Sequence, residues 1–157
     1  SEGRKSLVTP YVLPDEQFIQ NFLHTTYEHL PFMTDAPLIL TDNGERVRSK
    51  SEKIIADKLR SLGIPYLYEC PLDLKSYGTV HPDFTMLDIR ERILILLEHF
   101  GKMLDTNYAF HAMSKIDDYI QNGFILGDTL LCTFEGGVQV LNVSSLETQL
   151  RHRFLAE

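Results

Sequence analysis

The sequence lacks the features that mark a secreted, zinc-binding or membrane protein. Its two cysteines, Cys70 and Cys132, form no Cys-x-x-Cys pair, and no histidine stands at a zinc-type spacing from either. The chain has no secretory signal and no apolar run of transmembrane length. These absences predict a protein of the reducing cytoplasm that has no membrane partner.

The chain also lacks an excess of positive charge. Its formal net charge is −7 at pH 7, whereas phosphate-binding proteins normally carry a basic surface, which argues against a nucleic-acid enzyme. Basic residues do gather at Arg46, Arg48, Lys50 and Lys53, and they could line a nucleic-acid path or form a solvated charge run. We therefore expect weak, salt-sensitive affinity for nucleic acid, with a protein partner or a fused domain supplying most of the binding.

Periodicity predicts one α/β domain with an N-terminal extension. Residues 1–40 are expected to form a mostly helical extension, with a helix over 14–30, and residues 41–157 the core domain. The other predicted elements are strand 37–40, turn 41–44, helix 53–62, strands 66–72, 84–87 and 92–97, helix 105–122, strands 129–134 and 138–141, and a helix from 146 capped at Ser144. This order indicates an α/β sandwich with a central mixed sheet flanked by helices. Because the chain starts at Ser1, an excised fragment of a longer protein is left open.

Two carboxylates stand at the open end of a predicted β-hairpin. Asp83 lies in His-Pro-Asp-Phe, and Glu98 begins Glu-His-Phe-Gly-Lys. A turn with Arg90 and Glu91 at its tip places Asp83 directly opposite Glu98. Directly opposed side chains are about 5 Å apart, where two like charges are destabilising. A cation is therefore expected between them, unless the register is shifted by one residue and the acids face opposite sides of the sheet.

A divalent hard cation, Mg²⁺ or Mn²⁺, is the cofactor that this pair predicts. Mg²⁺ takes one or two protein carboxylates and completes its octahedron with water and phosphate oxygens. The corresponding chemistry is metal-assisted hydrolysis of phosphodiesters. His99 follows Glu98, so alternation sends its ring to the opposite face. Its backbone carbonyl is the expected third metal ligand, and an ordinary buried histidine is the alternative.

The motif order resembles that of the PD-(D/E)xK nuclease superfamily, which has the restriction-endonuclease-like fold. The matching segments are Ser-Lys-Ser-Glu at 49–52, Pro-Asp-Phe at 82–84 and Glu-His-x-Gly at 98–101. The chain is also similar to bacterial or phage nuclease-like domains whose third strand ends in Glu-His-x-Gly. The resemblance, over roughly residues 41–135, implies a metal-dependent nuclease. Its expected substrate is DNA, and a homodimer is one expected assembly.

The resemblance implies catalytic roles for three acids and a lysine. Asp83 and Glu98 would bind the metal, and Glu52 would reach it from the first turn of its helix. Glu52 is also explained as the end of a capping box that begins at Ser49. Glu69, in the predicted strand 66–72, is either a further candidate acid or a polar residue of an edge strand.

The lysine of the family motif is missing, because Phe100 stands two residues after Glu98. Lys102 would lie on the Glu98 face only if the strand continued through Gly101, where a glycine more often marks a bulge or an end. Lys115 belongs to the predicted helix 105–122. Its stripe on that helix comprises Tyr108, Ala112, Lys115 and Tyr119, and the adjacent apolar stripe, expected to be buried, comprises Ala109, Met113, Ile116 and Ile120. The resemblance favours Lys115, since superfamily members exist with the lysine on a helix; a lysine that only extends along an amphipathic helix is the alternative.

Three functions therefore compete. The first is a divalent-metal-dependent nuclease that hydrolyses phosphodiester bonds of nucleic acid. The second is a catalytically degenerate nuclease-fold module that serves as a binding or assembly domain, as Phe100 and the acidic charge allow. The third, hydrolysis of another phosphoester, requires a small closed pocket. A retained metal site should bind Mn²⁺ and gain thermal stability from it, whereas a degenerate site should not.

Overall fold

A mixed four-stranded sheet with helices on both faces forms the centre of the fold. The computed structural model describes residues 12–138 and 140–155. In chain order the elements are α1 (Asp15–Leu23), β1 (Ile39–Leu40), β2 (Arg46–Val47), α2 (Lys50–Ser61), β3 (Tyr66–Tyr68), β4 (Leu72–Leu74), β5 (Gly78–Val80), β6 (Phe84–Asp88), β7 (Ile93–Phe100), α3 (Thr106–Gln121), β8 (Leu130–Phe134), α4 (Val143–Leu150) and a π-helical turn (Arg151–Leu155). Within the described ranges, no helix is long and apolar enough to cross a membrane.

The central sheet has the strand order β3-β6-β7-β8. β6 pairs antiparallel with β3 and β7, while β7 and β8 are parallel and α3 is the crossover between them. The prediction of a mixed sheet is therefore confirmed. The β6–β7 hairpin also has the predicted register, with Phe84 opposite Leu97 and Leu87 opposite Leu94.

Alternating side chains of β7 build two halves of the core. Ile95 and Leu97 pack in a cluster with residues of α2 and α4, and Leu96 and Phe100 pack in a second cluster with residues of α3 and the β4–β5 hairpin. The near-continuous apolar sequence of β7 reflects this burial on both faces. The same alternation directs Glu98 toward α3 and the ring of the next residue, His99, toward α2.

The start of α2 has the predicted cap. Ser49 is the N-cap, and its Oγ accepts a hydrogen bond from the Glu52 amide at 3.1 Å. The Glu52 carboxylate in turn accepts from the amide of Arg48 at 2.9 Å. Gly63, with φ +71°, follows the helix in the left-handed conformation that ends many helices.

Two predicted elements end earlier in the structure than the sequence indicated. The predicted helix 14–30 stops at Leu23, and beyond it the Thr25 hydroxyl donates to the Phe22 carbonyl at 2.6 Å. The predicted strand 66–72 stops at Tyr68, because Glu69 has a positive φ of 50° and cannot continue the pleat. The residues that follow form the separate β4–β5 hairpin, which the sequence did not predict.

The other corrections concern α3 and the C-terminal segment. Of the stripe expected to be buried on α3, Met113 is 58% exposed, so the prediction was wrong there, whereas the other three residues are half-buried and Ile116 packs against the core. The buried residues of this helix are Ala112 and Tyr119. The predicted strand 138–141 is absent at residues 138, 140 and 141, and residue 139 lies outside the described ranges, as do residues 1–11 of the predicted extension. α4 starts at Val143, capped by Asn142 rather than by Ser144.

Candidate active site

A cleft of about 190 Å³ lies between the sheet and α3, at the end of the β6–β7 hairpin. It contains both hairpin acids and one of the two candidate lysines. The residues that line it are Asp83, Glu98, His99, Phe100, Tyr108, His111, Ala112 and Lys115.

Asp83 is held at the entrance to β6 by backbone contacts on both sides. Its carbonyl accepts from the Glu69 amide at 3.1 Å, and its Oδ2 accepts from the His99 amide at 2.7 Å. Burial raises the pKa of Asp83 well above its usual value, and the nearby charge of Glu98 raises it further. The two carboxylates thus repel each other where little water screens them. This is the condition under which the sequence predicted a cation.

Glu98 is buried on the α3 side of β7, with 2% of its surface exposed. Its Oε1 accepts a hydrogen bond from the Tyr119 hydroxyl at 2.6 Å and forms an ion pair with Lys115 Nζ at 3.1 Å. The two partners are four residues apart on α3, so they lie on one face of the helix. One lysine therefore faces two carboxylates, and the cleft retains an excess of negative charge.

Tyr119→Phe is expected to destabilise the protein by about 1.5 to 3 kcal/mol, because a buried charged acceptor would lose its hydroxyl donor. The side chain of Tyr119 has no exposed surface, so no water can replace that donor. Urea unfolding of the variant and the wild type would measure the difference. The matched control is Tyr77→Phe, since Tyr77 is 49% exposed and bonds Asp118 at the surface. Equal stability losses in the two variants would contradict the prediction.

Of the two candidate lysines, Lys115 lines the cleft and Lys102 does not. Lys115 lines the cleft and contacts Glu98, with about a third of its side chain exposed. β7 ends at Phe100, so Lys102 lies beyond the strand and is exposed. Within the described residues, Lys102 forms no ion pair. The condition that would have placed Lys102 on the Glu98 face is therefore not met.

Glu52 and Glu69 lie outside the cleft lining. Glu52 Oε1 accepts from the Tyr68 hydroxyl at 2.8 Å, on the α2 side of the sheet. Burial raises the pKa of Glu52, although the hydrogen bond from Tyr68 opposes this, and its charge adds to the repulsion at Asp83. Glu69 is paired with the Arg48 guanidinium through both oxygens, at 2.7 and 3.1 Å. Glu52 is thus an electrostatic neighbour of the cleft, and the charge of Glu69 is compensated by Arg48.

Both ring nitrogens of His99 form hydrogen bonds on the side of the sheet away from the cleft. Its Nδ1 lies 2.7 Å from Thr133 Oγ1, and its Nε2 lies 2.8 Å from Glu135 Oε1. Glu135 also accepts a hydrogen bond from the Ser51 hydroxyl at the start of α2. The ring therefore joins β7, β8 and α2, while the His99 backbone faces Asp83. Thr133 could have been found from the sequence only through the parallel register, which places it beside His99.

His111 is the cleft residue that the sequence reasoning missed. It is exposed and lies one helical turn before Lys115 on α3. The spacing of four residues from a candidate catalytic lysine was the available signal. Tyr108, also on this wall, accepts a hydrogen bond from the Gly101 amide at 3.0 Å through its hydroxyl.

The basic residues at 46–53 are largely bound to other parts of the protein. The guanidinium groups of Arg46 and Arg48 lie 4.2 and 4.3 Å from the ring centre of Phe32. Lys53 forms ion pairs with two aspartates, at 3.2 and 2.9 Å. The charges of Arg48 and Lys53 are therefore compensated by acids within the fold, whereas Arg46 contacts a backbone carbonyl and the Phe32 ring, and Lys50 is exposed.

The donors in the cleft fit a hard divalent cation that uses few protein ligands. Asp83 and Glu98 place two carboxylates in the cleft, and Lys115 is the lysine that pairs with Glu98 there. Mg²⁺ commonly uses one or two carboxylates plus water and phosphate oxygens. In residues 12–138 and 140–155, no group of three or more His, Cys, Asp or Glu side chains could hold a metal ion. A cation held by these two carboxylates would therefore take its other ligands from water or from phosphate oxygens.

The chain is similar to a protein of Methanocaldococcus jannaschii that is described as uncharacterized. The two are 32% identical over 132 residues, which is 73% of this chain and 11% of that protein. The chain therefore spans about a tenth of the length of this relative. No family model matches the chain, and no solved structure matches it.

Proposed function

We propose that this protein is a divalent-metal-dependent nuclease of the restriction-endonuclease-like fold, which hydrolyses phosphodiester bonds of nucleic acid. The observation that carries the proposal is the pair Asp83 and Glu98. These acids lie in one cleft, repel each other, and are compensated by a single lysine. Such a pair is costly to a fold unless a cation offsets it. Its place at the end of a hairpin, with Pro82 before Asp83, supports the resemblance to the PD-(D/E)xK superfamily.

Asp83 and Glu98 would hold Mg²⁺ or Mn²⁺, with the His99 carbonyl as a further ligand. The bound cation would stabilise charge on the phosphate and lower the pKa of a water molecule. Lys115 neutralises part of the charge on Glu98 and takes the role of the family lysine that Phe100 replaces. The His99 amide keeps Asp83 in position through its hydrogen bond. Glu52 acts as an auxiliary acid through its charge, since its carboxylate is bound to Tyr68.

The form of the cleft favours a polymer over a small phosphoester. On its wall Lys115 is partly exposed and His111 is exposed, so a nucleic-acid strand could pass along α3. A site for a small phosphoester would need a closed pocket around the phosphate. DNA is the proposed substrate. Weak intrinsic affinity is expected, because the net charge is −7 and two of the four basic residues at 46–53, Arg48 and Lys53, are paired with acids.

A catalytically degenerate binding or assembly module is the second candidate function. It is favoured by Phe100 at the position of the family lysine and by the acidic charge. In that case the acid pair would be a remnant, and no cation would be bound. Metal binding therefore separates the two candidates.

Mn²⁺ titration by calorimetry, combined with cleavage assays on plasmid and single-stranded DNA, tests the proposal. The wild type is expected to bind Mn²⁺ and to cleave DNA, and Asp83→Ala to lose both. The matched control is Asp35→Ala, because Asp35 is an exposed aspartate that is not among the residues lining the cleft. Cleavage that survives in both Asp83→Ala and Glu98→Ala would contradict the proposal. A wild type that neither binds Mn²⁺ nor cleaves would support the degenerate module.

A further inference from the structure

The wall of the cleft formed by α3 carries an imidazole that the proposed mechanism leaves unused. His111 lines the cleft together with Tyr108 and Lys115, one turn to either side. It is exposed, and no described residue forms a hydrogen bond or an ion pair with it. The ring of His99, by contrast, has both nitrogens bonded within the fold.

Hydrolysis of a phosphodiester needs a proton at the leaving oxygen. An alkoxide is a poor leaving group, and a positioned acid typically accelerates its departure by about 10² to 10⁴. The described residues offer two carboxylates for one cation, and both are assigned to it in the proposed function. A side chain that protonates the leaving oxygen would have to come from the rest of the cleft wall.

The other proton-bearing side chains near the cleft are less suited to this role. Lys115 is ion-paired with Glu98, and Tyr119 donates its proton to the same carboxylate. The Tyr108 hydroxyl accepts a hydrogen bond from the Gly101 amide and keeps its own proton, but burial raises the pKa of this phenol, which makes it a weaker acid. Imidazole is the side chain that exchanges protons readily near neutral pH. His111 is thus the group on this wall with both a suitable proton and freedom to move.

We infer that His111 is the general acid of the reaction, and this inference rests on the proposed nuclease function. A water oxygen forms a bond to phosphorus while the bond from phosphorus to the leaving oxygen breaks. The leaving oxygen takes the proton of the His111 imidazolium and departs as a hydroxyl group. The attacking water releases one proton, and His111 regains one from solvent, so one water molecule is consumed per bond cleaved.

Sulfur substitution at the bridging position tests this role. A thiolate leaves without protonation because a thiol is far more acidic than an alcohol. The substrates are matched oligonucleotides with one scissile phosphodiester, or with sulfur in place of its 3′ or its 5′ bridging oxygen. The isomer whose sulfur is the leaving atom should be cleaved by His111→Ala nearly as fast as by the wild type. On the ordinary phosphodiester, the same variant should be slower by about 10² to 10⁴.

Three controls test whether the effect of His111→Ala is specific to protonation of the leaving oxygen. His152→Gln replaces an exposed histidine that is not in the cleft lining and should leave both rates unchanged. Oligonucleotide binding in EDTA, followed by fluorescence anisotropy, should be the same for His111→Ala and the wild type. Mn²⁺ binding by His111→Ala should also be unchanged, because the carboxylates are intact.

The inference and the proposed function fail in different ways. Equal slowing of the oxygen and sulfur substrates, or no slowing of either, would overturn the general acid while leaving the nuclease in place. Weakened binding of the oligonucleotide without a change in turnover would also overturn it, because His111 would then be a phosphate contact. A wild type that cleaves none of the substrates would overturn both.

Discussion

Asp83→Asn should abolish cleavage and yet make the metal-free protein more stable at neutral pH. The pKa of Asp83 is raised in the folded protein, by burial first and by Glu98 second. The folded state therefore holds the Asp83 proton more tightly than the unfolded state. Between the usual pKa and the raised one, the free energy of unfolding falls as pH rises. Asparagine removes this loss, since its amide oxygen can still accept from the His99 amide.

Thermal melts from pH 4 to pH 8 in EDTA would measure the effect. The gain of Asp83→Asn over the wild type should be largest at neutral pH and should vanish toward acid, where Asp83 is protonated in both the folded and the unfolded state. Added Mn²⁺ should raise the melting temperature of the wild type and not that of the variant. Asp88→Asn is the matched control: Asp88 is also buried, but it pairs with Arg153 at 3.0 Å, so its loss should destabilise the protein. Destabilisation by Asp83→Asn at every pH would refute the expectation.

The hairpin that carries the acids was predictable from local sequence. A polar turn between two apolar runs fixes the pairing, and a strand period of two then fixes which side chains share a face. That is why the register of Leu87 with Leu94, and the opposite directions of Glu98 and His99, agree with the structure. The start of α3 was predicted to within one residue as well, and in the structure Asp105 caps it by accepting from the Tyr108 amide at 3.0 Å.

The remaining features depend on contacts between residues far apart in the chain. The strand from Tyr66 ends before Glu69, whose backbone is left-handed. The side chain of Glu69 is held by Arg48, twenty-one positions earlier in the chain. No pattern near Glu69 indicates that pairing. The prediction that Met113 lies on the buried face of α3 was wrong for a similar reason. Glu98 draws Tyr119 and Lys115 toward the sheet, and the more apolar Met113 is left in solvent.

The buried carboxylate of Glu98 thus changed which part of α3 packs against the sheet. On sequence grounds the face with Met113 should pack against the sheet, because it is the more apolar one. A buried carboxylate needs donors, however, and the cost of leaving it without them exceeds the gain from burying one methionine. His111 was missed by the same reasoning, since it lies on the polar side of that helix and matters only once that side faces the cleft.

Lys115→Met is expected to lower turnover by about 10² to 10³, the usual cost of removing one group that stabilises charge in the transition state. Its Nζ lies 3.1 Å from Glu98 and provides the positive charge nearest to the acids in the cleft lining. Stability should fall by only about 1 kcal/mol, because the lysine is partly exposed and the Tyr119 hydroxyl still bonds Glu98. Lys115→Arg, which keeps the charge, should retain more of the activity. Cleavage rates at saturating substrate would measure the loss.

Lys102→Ala distinguishes the two lysines that the sequence left open. Lys102 is exposed beyond the end of β7, so its removal should leave turnover close to that of the wild type. Mn²⁺ affinity is a second measurement that distinguishes the variants. Lys115→Met removes a positive charge beside the carboxylates, so this variant should bind Mn²⁺ at least as tightly as the wild type. Slow turnover with intact metal binding would place Lys115 in the chemical step. A larger loss in Lys102→Ala than in Lys115→Met would instead mean that the loop after β7 moves to bring Lys102 into the cleft during the reaction.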